Sequence, residues 1–578
     1  MLFVIFAFNK ASDSNLKKKM FDLIITVAVT FIVYHLLIAA YSYCRVLKIV
    51  KNIPTLPSIP FLGVALQFYK IKSPNGMIEV LSPCLQSSPQ KIIKCWIGPK
   101  IVVCLLNPKY IEIVLSSKDA LDRDSVYKIL HIYGSGLFTE NGKKWKELRK
   151  PLHKVLSSKA VESYFHFFQE SAVKFCKFLQ QYAVTGEKLD LKHGITNFSV
   201  DLLSACTLGY ETNEMFNSKL TVGKCASEIL YSATKMMHTP HYIVFNSLIP
   251  YGADGRNLIK SSKEMWSFVG SILKGRMNEI VSPEENDITN PQFYSDFLIQ
   301  KGKEYGLSHE ELARLATDYV MAGFDAPAVM SAATLMMLAM NPEHEEAVYR
   351  EQVEILGDDL SVLPSENDLS KMHYLNRVIK ETLRIFSPVT ILRTTKNDII
   401  LDEKFAHLWS FKTIWIILVF NKTLPRTEGC KCRKLGFCVA DDSLLIYSNV
   451  NFWRRIKKKK QFTLPKGCSV YISIHDLHRD PSNWSHPHEF YPDHFLPKEV
   501  AKRPKGAYIP FSWGPRSCPG PQFANVEMRV LLSRVIREYK FETDLKLDKL
   551  SYKYSLLIEP AEGFMMKVVS RNLQEKKK

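Results

Sequence analysis

The chain has 578 residues, 46% of them hydrophobic, 11% aromatic and 23% charged, and a net charge of +19. That balance is globular and excludes a disordered or collagen-like chain, while the length exceeds the roughly 250–300 residues of a usual single core without setting a domain count. The basic charge would suit nucleic acid, a membrane surface or an acidic protein partner, but no RNP, helix-turn-helix or zinc-finger pattern supports nucleic acid.

From the start, Phe21 to Tyr43 reads FDLIITVAVTFIVYHLLIAAYSY and carries one charge, Asp22. At 1.5 Å per residue this stretch is long enough to cross a ~30 Å hydrocarbon core, so residues 20–48 are predicted to anchor the chain in a membrane. Arg45, Lys48 and Lys51 favour a cytoplasmic body, and Lys17 to Lys19 on the other flank favour the reverse. Pro54, Pro57 and Pro60 then predict a stiff, extended tether. The twelve cysteines are scattered rather than framed, which suits reducing surroundings and not a disulfide scaffold.

Beyond the tether the pattern is mainly helical with short strand-like runs. In NGKKWKELRKPLHKVL, Trp145 and Arg149 stand four apart on one helix face, a spacing that surface stacking alone would explain. A long helix is predicted from Ser308 to Ala339, opened by a Ser308/Glu311 capping box and followed by Pro342. Its middle is apolar nearly all round, so it should cross the interior. Two residues disturb it: Asp325 is an acid in an apolar run, and Pro327 removes the N–H that would bond the carbonyl of Gly323. Either this marks a site, or Asp325 faces solvent beside a tolerated kink. In KMHYLNRVIKETLRIFSPV, Glu381 and Arg384 share a face. Finally, FSWGPRSCPG (residues 511–520) sets one cysteine on a loop constrained by glycine and proline.

Taken together, Trp145-x-x-x-Arg149, Ala322-Gly323-x-Asp325, Glu381-x-x-Arg384 and Phe511-x-x-Gly514-x-Arg516-x-Cys518-x-Gly520 stand in the order found in cytochromes P450, over nearly the whole chain. The stretches LSHEE, HRDPSNWSHPHEFYPDHFLP and FSWGPRSCPGPQFA resemble the family 4 clan in an insect-like, microsomal version. The resemblance implies the P450 fold, mainly α with small β-sheets, for residues 49–578, and a haem b whose iron is bound by the Cys518 thiolate. Such a ligand pushes electron density onto the iron and favours O–O cleavage. Gly514 and Gly520 would permit a tight turn and close backbone approach, and Phe511 would shield the sulfur. Trp145, Arg149, Arg393 and Arg516 would hold the haem propionates, a task suited to guanidinium forks. Glu381 and Arg384 would form a buried structural pair. The implied reaction inserts one oxygen atom of O2 into a lipophilic small molecule: a fatty acid, hydrocarbon, hormone-like lipid or xenobiotic. NADPH would supply electrons through a partner reductase, with the catalytic domain on the cytoplasmic face of the endoplasmic reticulum membrane. Substrate contacts are expected from His131 to Leu137, the helix near Ala322, Val389 to Ile391, and Glu562 to Phe564.

The chain also departs from the pattern. Relatives usually carry hydroxyls where Ala326 and Pro327 stand, and a threonine there helps deliver protons, so Asp325 and Ala326 are the residues on which oxygen activation turns. Many family 4 members bond haem covalently through a glutamate at the place of Ala322. The P-x-R-F segment reads Pro492-Asp493-His494-Phe495, and Pro519 offers no amide N–H to the sulfur. These departures leave two alternatives beside the monooxygenase: a haem-thiolate isomerase or dehydratase needing no reductase, and a non-catalytic haem protein from an aberrant gene model. Residues 405–461 interrupt a strand pair that the family closes with a short turn. They hold twelve Lys or Arg against three Asp or Glu, a net +9. Their Cys430, Cys432 and Cys438 lack a fourth ligand nearby for a metal site. The segment is expected to be translated intron, and residues 1–19 an upstream extension before a natural start at Met20.

Overall fold

In the computed structural model, residues 14–571 are described apart from 57, 60–61, 66, 68–75, 217–221, 238, 240–241, 243–245, 281–292, 389, 403–460 and 555–556. The insertion and nearly all of the upstream extension therefore lie outside the described residues.

The first helix, α1 (Ser14–Ile49), is longer than the apolar run alone predicts. Leu23, Val27, Phe31 and Leu37 are exposed along it, as a helix bathed in lipid rather than packed on protein would be. Its C-terminal end docks on the body. Arg45 Nη2 lies 2.7 Å from Asp398 Oδ2, the rings of Tyr43 and Trp96 are 5.0 Å apart, and Lys94 Nζ donates to the Val50 carbonyl at 2.6 Å. The tether is extended as expected but not free: Leu56 N–H bonds the Lys94 carbonyl at 3.2 Å along the edge of β1.

A small sheet follows from β1 (Ile92–Ile97), β2 (Lys100–Leu105), β3 (Thr390–Thr394) and β6 (Ser469–Ser473), in the order β1-β2-β6-β3. The parallel β2/β6 pair sets Val103 beside Val470. Strands β4 (Ile399–Leu401) and β5 (Phe462–Leu464) pair antiparallel, Leu401 opposite Phe462, so the hairpin closes in register across the insertion. Helices α2 (Gly142–Val155), α3 (Leu191–Leu203), α4 (Val222–Met237), α5 (Ala253–Ile280), α6 (His309–Met340), α7 (His373–Ile385) and α8 (Pro521–Glu538) make up most of the rest. Strands β7 (Tyr552–Tyr554) and β8 (Ile558–Pro560) form a last hairpin.

Helix α6 is the axis of the molecule. Its apolar surface has no polar face to give to solvent, so it is buried among α3, α5, α7 and α8. The Ser308/Glu311 capping box is formed in both directions, and Pro342 opens the next helix at Pro342–Leu356 rather than merely ending this one. The helix runs on through Pro327 without a break, contrary to the broken helix that the sequence suggested. Close packing with α3 helps to explain this: a Cβ on Gly323 would come within 2.6 Å of Leu203 Cδ2.

Candidate active site

Helix α6, the cysteine loop, α2 and β3 enclose a cavity of about 330 Å³. One wall carries Ala322, Gly323, Asp325, Ala326 and Pro327, and the facing wall carries Phe511, Arg516, Cys518 and Gly520. Residues more than 100 positions apart in sequence thus share one space, as the motif order implied.

The cysteine loop is held by its own backbone. Cys518 N–H donates to the Phe511 carbonyl at 2.9 Å and Ser517 N–H to the Gly514 carbonyl at 3.0 Å. Gly514 has φ +76°, and a Cβ there would lie 2.1 Å from the Leu115 carbonyl oxygen; only glycine meets both demands. Gly520 differs from the expectation. Its φ is −111°, outside the left-handed region, and a Cβ would meet only Leu156 Cδ1, at 3.7 Å. Both residues line the cavity, so glycine keeps room there rather than making a turn. Cys518 is accessible although it sits deep in the protein, because the surface it exposes lines the cavity. Burial pushes its thiol up, while the Gly520 amide N–H and the Arg149 guanidinium pull the other way. Pro519 contributes no donor, and Gly520 supplies the one that faces the sulfur.

The other edge of the cavity is cationic. Arg393 on β3 is 2% exposed, and burial, then the nearby Arg123, pulls its guanidinium down to about 9. Arg516 is brought down to about 8 by burial and by Arg123 and Arg393. It donates to Asn141 Oδ1 at 2.7 Å and to the Leu121 carbonyl at 3.1 Å, lies 4.8 Å over the Trp145 ring, and keeps a buried Nε without a partner. Arg123 stacks 3.9 Å over Phe138, pairs backbone with Arg393, and also has an unpartnered Nε. None of these three makes a salt bridge among the described residues. Three converging guanidiniums without a carboxylate are costly unless an anion joins them. Arg149 is placed differently from expectation: its Nη1 donates to the Ser517 carbonyl at 2.9 Å, so it braces the cysteine loop from the cavity wall. The sequence reading missed Arg123. Lying between Asp122 and Asp124 it looks like a surface ion pair, and only the fold brings it to Arg393 and Arg516.

On α6, Asp325 is buried and ion-paired, with Oδ1 3.3 Å from Lys192 Nζ of α3; the solvent-facing alternative is thereby settled against. Ala326 lines the cavity and brings no hydroxyl. Pro327 deprives the Gly323 carbonyl of its helical donor, and both residues are in the wall. One turn earlier, Asp318 accepts the N–H groups of Phe138 at 2.8 Å and Gly136 at 3.0 Å, tying the 134–139 loop over the cavity. Burial raises its carboxyl to about 6 against these bonds. Of the expected substrate contacts, Tyr133, Leu137, Thr390 and Ile391 line the cavity, and Val389 lies outside the described residues. His131 instead faces the Thr139 carbonyl at 3.3 Å. The Glu562–Phe564 expectation is corrected: Phe564 is fully buried in the core, and Leu557, just before β8, reaches the cavity in its place.

Behind the cysteine loop, Glu381 and Arg384 are both wholly buried and joined by two bonds of 2.7 and 2.9 Å. Burial would raise the Glu381 carboxyl, but Arg384 and His494 outweigh it and hold it below the usual range.

A buried cysteine facing an interior helix, with an unpaired cationic rim, is the ground plan of one class of protein. The family model described as Cytochrome P450 matches residues 53–407 and 456–568, and the chain belongs to that family of haem-thiolate monooxygenases. Among its relatives, it is 25% identical to cytochrome P450 4V2 of Homo sapiens, covering 94% of this chain and 95% of that protein. It is also 25% identical to cytochrome P450 4c21 of Blattella germanica, covering 95% and 100%, and 24% identical to cytochrome P450 4c3 of Drosophila melanogaster, covering 91% of each.

Proposed function

We propose that the chain is a membrane-anchored monooxygenase that oxidises a lipophilic small molecule with electrons passed from NADPH by a flavoprotein reductase. The observation that carries this reading is the pairing of Cys518 with the unpaired Arg123, Arg393 and Arg516 across one cavity. The residues fit a haem b: a sulfur for the iron, guanidiniums for two propionates, and the space kept by Gly520 for the ring. When bound, the haem supplies the activation of O2 and the insertion of one oxygen atom. The chain's own residues do the rest. Gly520 N–H and Arg149 set the sulfur's charge, Trp145 stacks under Arg516, Phe511 covers the loop, and Tyr133, Leu137, Ile391 and Leu557 offer an apolar wall to the substrate. Helix α1, whose apolar side chains stand exposed, supports an endoplasmic reticulum anchor with the body on the cytoplasmic face.

The test is reconstitution of the haem-loaded full chain with NADPH–cytochrome reductase. A thiolate-type carbon monoxide difference spectrum and substrate-dependent NADPH consumption are expected. No thiolate spectrum would reject the haem-thiolate reading. The spectrum without NADPH consumption would favour the isomerase or dehydratase alternative, which has one observation on its side, the missing hydroxyls at Ala326 and Pro327.

Those missing hydroxyls give a second expected result. Proton delivery by a positioned group is worth roughly 10²–10⁴-fold, and Ala326 can hold no proton. The natural enzyme should therefore release much of its NADPH-derived reducing power as hydrogen peroxide, and Ala326→Thr should raise the product formed per NADPH. Full coupling in the natural enzyme, unchanged in the variant, would show that other groups in the wall suffice.

For residues 405–461 the reading is a segment foreign to the fold, and for residues 1–19 an upstream extension. The family match breaks between 407 and 456, and β4 and β5 pair in register across the gap; both support it. Deleting 405–461 is expected to leave haem content unchanged. A loss of haem in the deleted protein, with the segment present in the abundant messenger RNA, would make it an accessory element.

A further inference from the structure

Asp325 shares a buried cluster with two other charged side chains. Lys192, at the start of α3, has Nζ 3.3 Å from Asp325 Oδ1 and 2.8 Å from Glu559 Oε1 on β8. The same ammonium donates to Ser227 Oγ of α4 at 3.4 Å. The three charged side chains expose 12% or less of their surface. Burial works against a charged lysine, but the two carboxylates outweigh it and keep the ammonium protonated.

A plain structural tie between helix and hairpin would account for the contacts, since buried ion pairs often add little to stability. Two facts go further. Asp325 lines the cavity wall, and so does Leu557, two residues before Glu559 and on the same face of that extended segment. Moreover, one cation serves two carboxylates, so what Glu559 takes of the ammonium Asp325 does not have. The other groups around the cluster are Lys553 on β7, which acts on Glu559, and Tyr133 from the loop above.

We propose that Lys192 is a positioning residue that holds Asp325 in the cavity wall as a carboxylate, and that Glu559 sets how much of the ammonium reaches it. The terminal hairpin thereby governs the acid on the α6 wall of the oxygen-activating cavity. This rests on the haem reading above.

The experiment uses haem-loaded full chain. The natural protein's carbon monoxide spectrum checks the haem reading separately, because its failure there would remove that reading before any variant is compared. Two profiles are then recorded between about pH 5 and 9: the ferric haem absorption, and hydrogen peroxide released per NADPH with reductase and no added substrate. Asp325→Asn should remove the acid limb, assigning it. Lys192→Met should move that limb up by about one pH unit or more, and Glu559→Gln should move it down, because the acid then has the ammonium to itself. Lys192→Met combined with Glu559→Lys returns a cation from the hairpin side and should bring the limb back to within about half a unit of the natural position. A merely structural tie would not give opposite shifts from the two partners, nor this rescue. Shifts of the same sign, no shift in protein of full haem content, or no rescue would overturn the proposal. If Lys192→Met does not hold haem, the downward shift in Glu559→Gln alone decides it.

Discussion

Cys518→Ala, and equally Cys518→His, is expected to abolish the thiolate-type absorption of the reduced, carbon monoxide-bound protein. Among the described residues no other thiol can take over. Cys44 lies on the anchor helix and Cys84 is half-buried, while Cys95, Cys104, Cys176, Cys206, Cys225 and Cys468 are buried; none of these lines the cavity. Histidine at 518 can still bind iron but cannot supply the charge of a thiolate. The loss should therefore be one of spectrum and turnover in both variants, with residual haem content higher in the histidine variant. Cys84→Ala, the matched control, should change neither. Survival of the thiolate spectrum in Cys518→Ala would require a different ligand and a different site.

How much of this was legible in the sequence follows from whether a feature is local. The cysteine loop could be read because glycine, proline and cysteine act within ten residues, and the Gly514 carbonyl and the Phe511 carbonyl close it on itself. The start of α6 could be read from Ser308 and Glu311 for the same reason, as could Glu381 and Arg384 on one turn of α7. What could not be read is made of distant segments. Arg123, Arg393 and Arg516 become one cationic rim only when β3, the cysteine loop and the segment before α2 converge. Lys192 carries no motif, and nothing in its neighbourhood on the chain announces Asp325 or Glu559. Gly520 was read for a turn when its role is space, because sequence shows that a side chain is missing but not which volume it leaves free. The terminal hairpin was placed four to six residues too late, since Phe564, apolar like Leu557, is taken by the core.

Arg384→Leu is expected to cost about 3–5 kcal/mol of stability, the usual penalty for stranding one charge of a buried pair. Arg384 satisfies Glu381 and three carbonyls at once, those of His478 at 2.9 Å, Pro487 at 2.7 Å and Glu489 at 2.7 Å. Its loss would leave all of them without that donor beneath the cysteine loop, so haem content should fall with stability. His494 is a different case. Its Nε2 accepts the His486 N–H at 3.3 Å and its Nδ1 faces both Glu381 oxygens at 3.2 Å, a pattern that the neutral ring with its proton on Nδ1 satisfies fully. One carboxylate then faces one guanidinium, and His494→Gln, which keeps a neutral donor, should cost no more than about 1.5 kcal/mol. The pH dependence follows from the Glu381 carboxyl, which is held below its ordinary value. Its contribution is present in full above about pH 4.3, the range of a free glutamate, and is lost as the pH falls through the depressed native value. Denaturant unfolding from neutral to acid pH checks both points: the acid loss should be shallower in Arg384→Leu than in His494→Gln. Equal destabilisation by the two variants would mean that His494 carries a charge the pair depends on.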